Sequence, residues 1–105
     1  MRLQPFLHRK GAQSKVIIYL IIAGYDVPDL IRMDAPTLRR LALPIDLAVL
    51  VDELLNTREK GPAFLTKKGK AIPYTYYYRL VRETTIKVLK KPLKIDQFRA
   101  WIRKT

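Results

Sequence analysis

Val16-Ile17-Ile18-Tyr19-Leu20-Ile21-Ile22-Ala23 is an unbroken apolar run in a chain of 105 residues, and every other segment has to be arranged around it. The run is far shorter than the ~20 residues that cross a bilayer. It must therefore be buried by the rest of the chain and form the centre of the core. Its β-branched content suits a strand, whereas Ser14 as an N-cap ahead of Lys15 and Gly24 as a stop favour a helix apolar on nearly all sides. Periodicity alone does not choose between the two. After Gly24 the chain reverses through Tyr25 and Asp26, and a short amphipathic helix restarts at Val27-Pro28, where proline gives up only an amide that has no helical partner. The corner holds one side chain, that of Asp26, in a fixed direction, and this carboxylate can also cap the helix that follows it.

A carboxylate is out of keeping with the rest of the chain. Lys and Arg number 21 against 9 Asp and Glu, a formal charge of +12, so the expected partner is a polyanion. Nucleic acid comes first, ahead of acidic membrane or acidic protein; a merely solubilising surface is the bland alternative. At 12.3 kDa the chain makes one small domain. Without cysteine, disulfides, thiolate catalysis and the usual zinc sites are excluded, and a reducing cytosol is compatible. The apolar run has no small-residue cleavage site after it, so it does not read as a signal peptide. The location expected is cytoplasmic, or the nucleoid of a host cell, with no membrane attachment. One histidine, His8, cannot build a metal centre, and no serine has a histidine base placed by spacing. Asp26, Asp29 and Asp34 read as capping and pairing residues. Neither cofactor, metal nor catalysis is expected.

Residues 1–13 mix Arg2, His8, Arg9 and Lys10 with Leu3, Phe6 and Leu7, which reads as a basic arm with a few apolar anchors, ahead of a single domain over 14–105. Leu30, Ile31 and Met33 extend the core. Pro36 breaks the helix at Ala35, and Thr37 to Leu43 suits a strand. From Ile45 the stripe Leu47, Leu50, Val51, Leu54, Leu55 predicts a helix to about Asn56, with Asp46, Asp52 and Glu53 off the stripe. Ala63 to Thr66 and Ala71 to Pro73 read as a hairpin across Lys67-Lys68-Gly69-Lys70. Thr75 reads as the N-cap of a helix with Tyr77, Leu80, Val81, Thr84 and Val88 inward, ended by Lys90-Lys91-Pro92. Asp96 caps a last helix to Lys104, with Phe98, Ala100, Trp101 and Ile102 buried. The fold expected is α+β, mainly helical with a small antiparallel sheet.

Three lysines at a hairpin tip repel one another unless an anion neutralises them. The following Tyr74-Thr75-Tyr76-Tyr77-Tyr78-Arg79 and Arg82 interleave phenols with guanidinium groups, a pattern suited to phosphate contacts and groove readout. The expected DNA-binding residues are Lys67, Lys68, Lys70, Tyr74, Thr75, Tyr76, Arg79, Arg82, Arg99 and Arg103.

The order of elements resembles the catalytic domain of the tyrosine recombinases, the phage integrase family, over about Lys15 to Lys104. Ala23-Gly24-Tyr25-Asp26-Val27-Pro28-Asp29-Leu30 is similar to the family's Thr-Gly-Leu-Arg corner with its trailing Glu-Leu. Leu43-Pro44-Ile45 is similar to its entry to a long helix, Phe64 to Lys70 to its strand and turn with the catalytic lysine, and Asp96-Gln97-Phe98-Arg99 to its His-x-x-Arg box. The departures fall on the chemistry. Asp26 stands at the arginine that grips the scissile phosphate, Asp96 stands at the histidine, and no tyrosine follows Tyr78 to serve as nucleophile. A carboxylate a few ångströms from a phosphate repels it by ~1 kcal/mol in water and by more in a drier site. The resemblance thus implies a truncated, inactive recombinase-like domain: a non-catalytic protein of a phage or mobile element that binds double-stranded DNA, as a regulator or an accessory architectural factor. The alternative is a protein-interaction module that binds and modulates an integrase or another host or viral protein, with a homodimer or an integrase-like protein as the partner to look for.

Overall fold

The apolar run is a helix, and the others pack around it. The computed structural model describes residues 4–7 and 10–104. These form α1 (Gln4–Leu7), α2 (Ala12–Ala23), α3 (Val27–Arg32), α4 (Ala35–Arg40), α5 (Ile45–Leu55), α6 (Tyr74–Leu89) and α7 (Ile95–Lys104). In α2, Val16, Ile17, Ile18, Leu20 and Ile21 are all buried, because α1, α5, α6 and α7 all pack against it. Gly24 ends the helix in the left-handed region at φ 114°. Its N–H reaches the Ile21 carbonyl at 3.2 Å and the Tyr25 N–H reaches that of Leu20 at 3.0 Å, the pair of bonds that closes a helix on a glycine.

The expected small sheet is absent. The described residues form seven helices and two isolated antiparallel bridges, Asp34 with Pro62 and Leu65 with Ala71. The reason is local. Thr66 to Lys70 close a tight turn, with Thr66 N–H on the Lys70 carbonyl at 2.7 Å and Gly69 at φ 80°. The flanking segments, however, have only three and two residues before proline intervenes at Pro62 and Pro73, and proline has no N–H for a ladder. Thr37 to Leu43 is not a strand either. Asp34 accepts the Thr37 N–H at 2.9 Å and Pro36 sits in the first turn, so Pro36 opens a helix where a break was expected. That hydrogen bonding from Thr37 also holds the Asp34 carboxyl below its usual range.

Helix starts were the least legible features. Ser14 lies inside α2, whose N-cap is Gly11. Thr75 lies inside α6, which begins after Pro73. The last helix starts at Ile95, where Gln97 Oε1 takes the Lys94 N–H at 2.9 Å, so the amide of Gln97 serves that end and Asp96 does not cap it. The α5 stripe is as expected, with Leu47, Val51 and Leu55 buried. Ile31 and Ala100 turn outward. The expected arm contributes to the core: Phe6 meets Phe98 at 4.9 Å and Trp101 at 5.5 Å, both edge to face, and Leu7 is buried beside it. Of the other arm residues, Arg2, Leu3, His8 and Arg9 lie outside the described residues. Lys10 lies against α6, and partial burial together with the Lys87 charge lowers its pKa.

Candidate nucleic-acid interface

The corner after α2 is built by Arg99, from the other end of the chain. Its Nε donates to the Ile21 carbonyl at 2.6 Å, Nη2 to the Tyr25 carbonyl at 2.5 Å, and Nη1 to Asp26 Oδ1 at 2.9 Å. Asp96 Oδ1 lies 3.7 Å from the same Nη1. These carbonyls belong to the last turn of α2 and the residue after its glycine stop, where helix geometry leaves acceptors without intrahelical donors. A planar guanidinium, with donors fixed in a fork, serves several such acceptors at once. The Asp26 N–H in turn donates to Asp29 Oδ2 at 2.9 Å as α3 begins. Arg99 was expected to hold phosphate. Its side chain is only 11% exposed, and each of its three nitrogens donates to the protein.

The other expected residues have a different fate. Lys67, Lys68 and Lys70 are exposed on the turn, and Tyr74, Thr75, Tyr78, Arg79 and Arg82 are exposed on α6. Tyr74, Tyr78 and Arg82 follow one another at i, i+4 and form a ridge along the helix. The Tyr74 and Tyr78 rings meet nearly perpendicular at 6.4 Å. Tyr76 is half-buried, with the Arg79 guanidinium 6.0 Å from its ring centroid, and Tyr77 turns fully inward. Arg103 is exposed on the last turn of α7, a different helix from the ridge.

Turn and ridge are held in register by α2. Gln13 donates its Nε2 to the Leu65 carbonyl at 3.0 Å and accepts the Leu65 N–H on Oε1 at 3.0 Å. Ser14 Oγ lies 3.3 Å from the Tyr76 hydroxyl. The far end of α6 is fastened by Thr85, whose hydroxyl donates to the Val81 carbonyl at 2.9 Å and accepts the Leu93 N–H at 3.0 Å. Sequence reading assigned none of these three residues this role. Each pairs with a group that only the fold brings near, and no periodicity marks them.

Between the ridge and the corner lies a cleft of about 810 Å³. Tyr78 and Arg82 line one side, Asp26 and Asp96 also border it, and Val27 and Leu93 add apolar lining. Charge is unevenly distributed along the chain: from Lys60 onward the only carboxylates are Glu83 and Asp96. Asp46, Asp52 and Glu53 sit exposed on α5, which packs on α2 and α4, whereas α6 packs on α1, α2, α3 and α7. Among the described residues no group of His, Cys, Asp or Glu side chains is placed to hold a metal ion, and no helix is long and apolar enough to cross a membrane. Compared with known protein families, curated proteins and solved structures, the chain gives no match in any of the three.

Proposed function

We propose that the chain is a non-catalytic DNA-binding protein of a phage or mobile element, built on the frame of a tyrosine recombinase catalytic domain and contacting DNA through the lysine turn and the exposed side of α6. The observation that carries this reading is the contrast in cation use. Lys67, Lys68, Lys70, Arg79 and Arg82 are exposed without a carboxylate partner in any described ion pair, while Arg99 is neutralised within the fold. Support for the recombinase frame comes from positions 26 and 99, distant in sequence yet 2.9 Å apart. The resemblance assigns both to catalytic positions, and here an aspartate fills the first and pairs with the second. The arginine that the resemblance places at that corner, Arg99, is bonded to Asp26, so the reading is of binding without strand cleavage. Arg79 and Arg82 take the readout role, the lysines the phosphates, and Arg99 no contact.

The test is selection of bound duplexes from a random pool at two salt concentrations, compared with an Arg79→Ala, Arg82→Ala double variant. An enriched motif lost in the variant is expected, with affinity falling as log salt rises at a slope near ~0.9 per phosphate neutralised. Absence of binding at low salt, or affinity indifferent to salt, would overturn it. A second reading, a protein-interaction module, is favoured by Ile45, 82% exposed, and Val49 one turn further along α5, an apolar pair among carboxylates that suits a protein better than a polyanion. A nuclease-resistant complex recovered with a protein, and lost in Ile45→Ser, Val49→Ser, would favour it.

A further inference from the structure

Resting on the nucleic-acid reading above, we infer that the Tyr74–Tyr78 ridge takes unpaired bases, so that the preferred ligand is a duplex adjoining a single-stranded segment. Tyr74 is 60% exposed and Tyr78 50% exposed, a large apolar area to leave in water on a helix whose inward face is already filled by Tyr77, Leu80 and Val81. Neither hydroxyl has a described hydrogen bond that would explain its position. In the perpendicular arrangement at 6.4 Å the edge of one ring meets a face of the other, which leaves the remaining faces open for stacking. Bases in a duplex have their faces covered by their neighbours; unpaired bases do not, and every base has a face to offer.

The surrounding charge sets how such a strand lies. Lys67, Lys68 and Lys70 precede the ridge in the chain, Arg82 ends it and Arg79 is exposed beside it on α6, so exposed cations are available to the backbone phosphates. The cleft beyond Tyr78 is bordered by Asp26 and Asp96. Arg82 and Lys94 line the same cleft, so its charges offset, and carboxylate oxygens there can accept hydrogen bonds from the exocyclic amino groups of bases. Phosphates follow the lysines of the turn and the arginines of α6, and base faces turn toward Tyr74 and Tyr78.

The experiment is fluorescence anisotropy with three labelled probes at one salt concentration: a blunt duplex, the same duplex with a single-stranded tail, and the tail strand alone. The tailed duplex is expected to bind roughly tenfold or more tightly than the blunt one, and in Tyr74→Leu, Tyr78→Leu the tailed and blunt duplexes are expected to bind equally tightly, whatever that variant's affinity for the blunt one. Tyr74→Phe, Tyr78→Phe keeps the rings and is expected to keep the gain. Both pairs are at exposed positions, and circular dichroism checks that the helices persist. Blunt duplex bound as tightly as tailed, or a gain that survives the leucine pair, overturns this inference and leaves the DNA-binding reading standing. No binding to any of the three probes at low salt overturns both.

Discussion

The corner at Asp26 and the ridge on α6 present arginines in opposite conditions. At the corner, Arg99 is bonded to two backbone carbonyls and one carboxylate, with a second carboxylate close by. On the ridge, Arg79 and Arg82 extend from a helix into water, and the lysines that precede them repel one another. A guanidinium whose three nitrogens each donate to its own chain holds the fold together. One left without acceptors contributes little to the fold and is available to a partner. The same residue type thus divides into structure and interface, and the division depends on which acceptors the fold brings within reach.

Removing the engaged arginine is the strongest way to break that contrast. Arg99→Ala deletes a largely buried side chain, takes from the Tyr25 carbonyl and the Asp26 carboxylate their guanidinium donor, and leaves the Ile21 carbonyl with the Gly24 N–H alone. Hydrogen bonds to charged groups contribute ~1.5–3 kcal/mol each and do not sum, so the loss expected is about 3 kcal/mol in urea unfolding. A loss under about 1 kcal/mol would mean that the corner does not depend on it.

A similar division runs through the tyrosines. Burial pushes the Tyr77 phenol up to about 12, with Tyr76 adding to the shift, against ~10 in an unfolded chain. As pH rises the unfolded state gives up this proton first. The stability tied to Tyr77 is thus fully present below pH ~10 and is lost as pH approaches 12, by about 2–3 kcal/mol. Tyr77→Phe is expected to flatten that part of the pH profile, while Tyr74→Phe and Tyr78→Phe leave it unchanged. If Tyr78→Phe flattened it instead, the inward and outward tyrosines would have been exchanged and the ridge with them.

Reversing the corner's charge has a smaller effect. Asp26→Arg removes the cap of α3 and sets a second guanidinium beside Arg99, but Asp26 is 65% exposed and water screens the pair. About 1–2 kcal/mol is expected, from the ~1 kcal/mol of a lost cap plus a screened repulsion. On the DNA-binding reading proposed above, non-specific DNA affinity should rise, because a carboxylate that repels phosphate becomes a cation.

The sequence made the corner legible as a shape and the ridge as a composition, for different reasons. Gly24 as a stop, Pro28 in a first turn and the α5 stripe are local signals, and each appears in the fold as read. The ring and guanidinium types of the ridge could be read because exposure followed from a helical period already filled by Tyr77, Leu80 and Val81. Whether Arg99 was free could not be read, since its acceptors lie more than seventy residues away. The missing sheet has a related cause: Ala63-Phe64 and Ile72 carry strand-like residues, but a ladder needs donors on both sides, and Pro62 and Pro73 remove them. Gln13 gives the converse case, a polar residue at the edge of a supposed arm whose amide fastens Leu65 from a different part of the chain.

The weakest effect on the fold is expected where the interface reading is strongest. Lys67→Ala, Lys68→Ala and Lys70→Ala together touch exposed side chains. The turn itself is closed by backbone groups and by the Thr66 hydroxyl, which takes the Lys70 N–H at 3.2 Å. Surface changes of this kind stay within ~0.5 kcal/mol, and relief of like-charge repulsion makes the sign stabilising. The same variant should lower the slope of log affinity against log salt by ~0.9 for each lysine that neutralises a phosphate. A variant that lost stability and kept its salt slope would make the lysines part of the structure, and the contrast with Arg99 would disappear. Unchanged unfolding with a reduced slope is the outcome that an uncompensated cation requires.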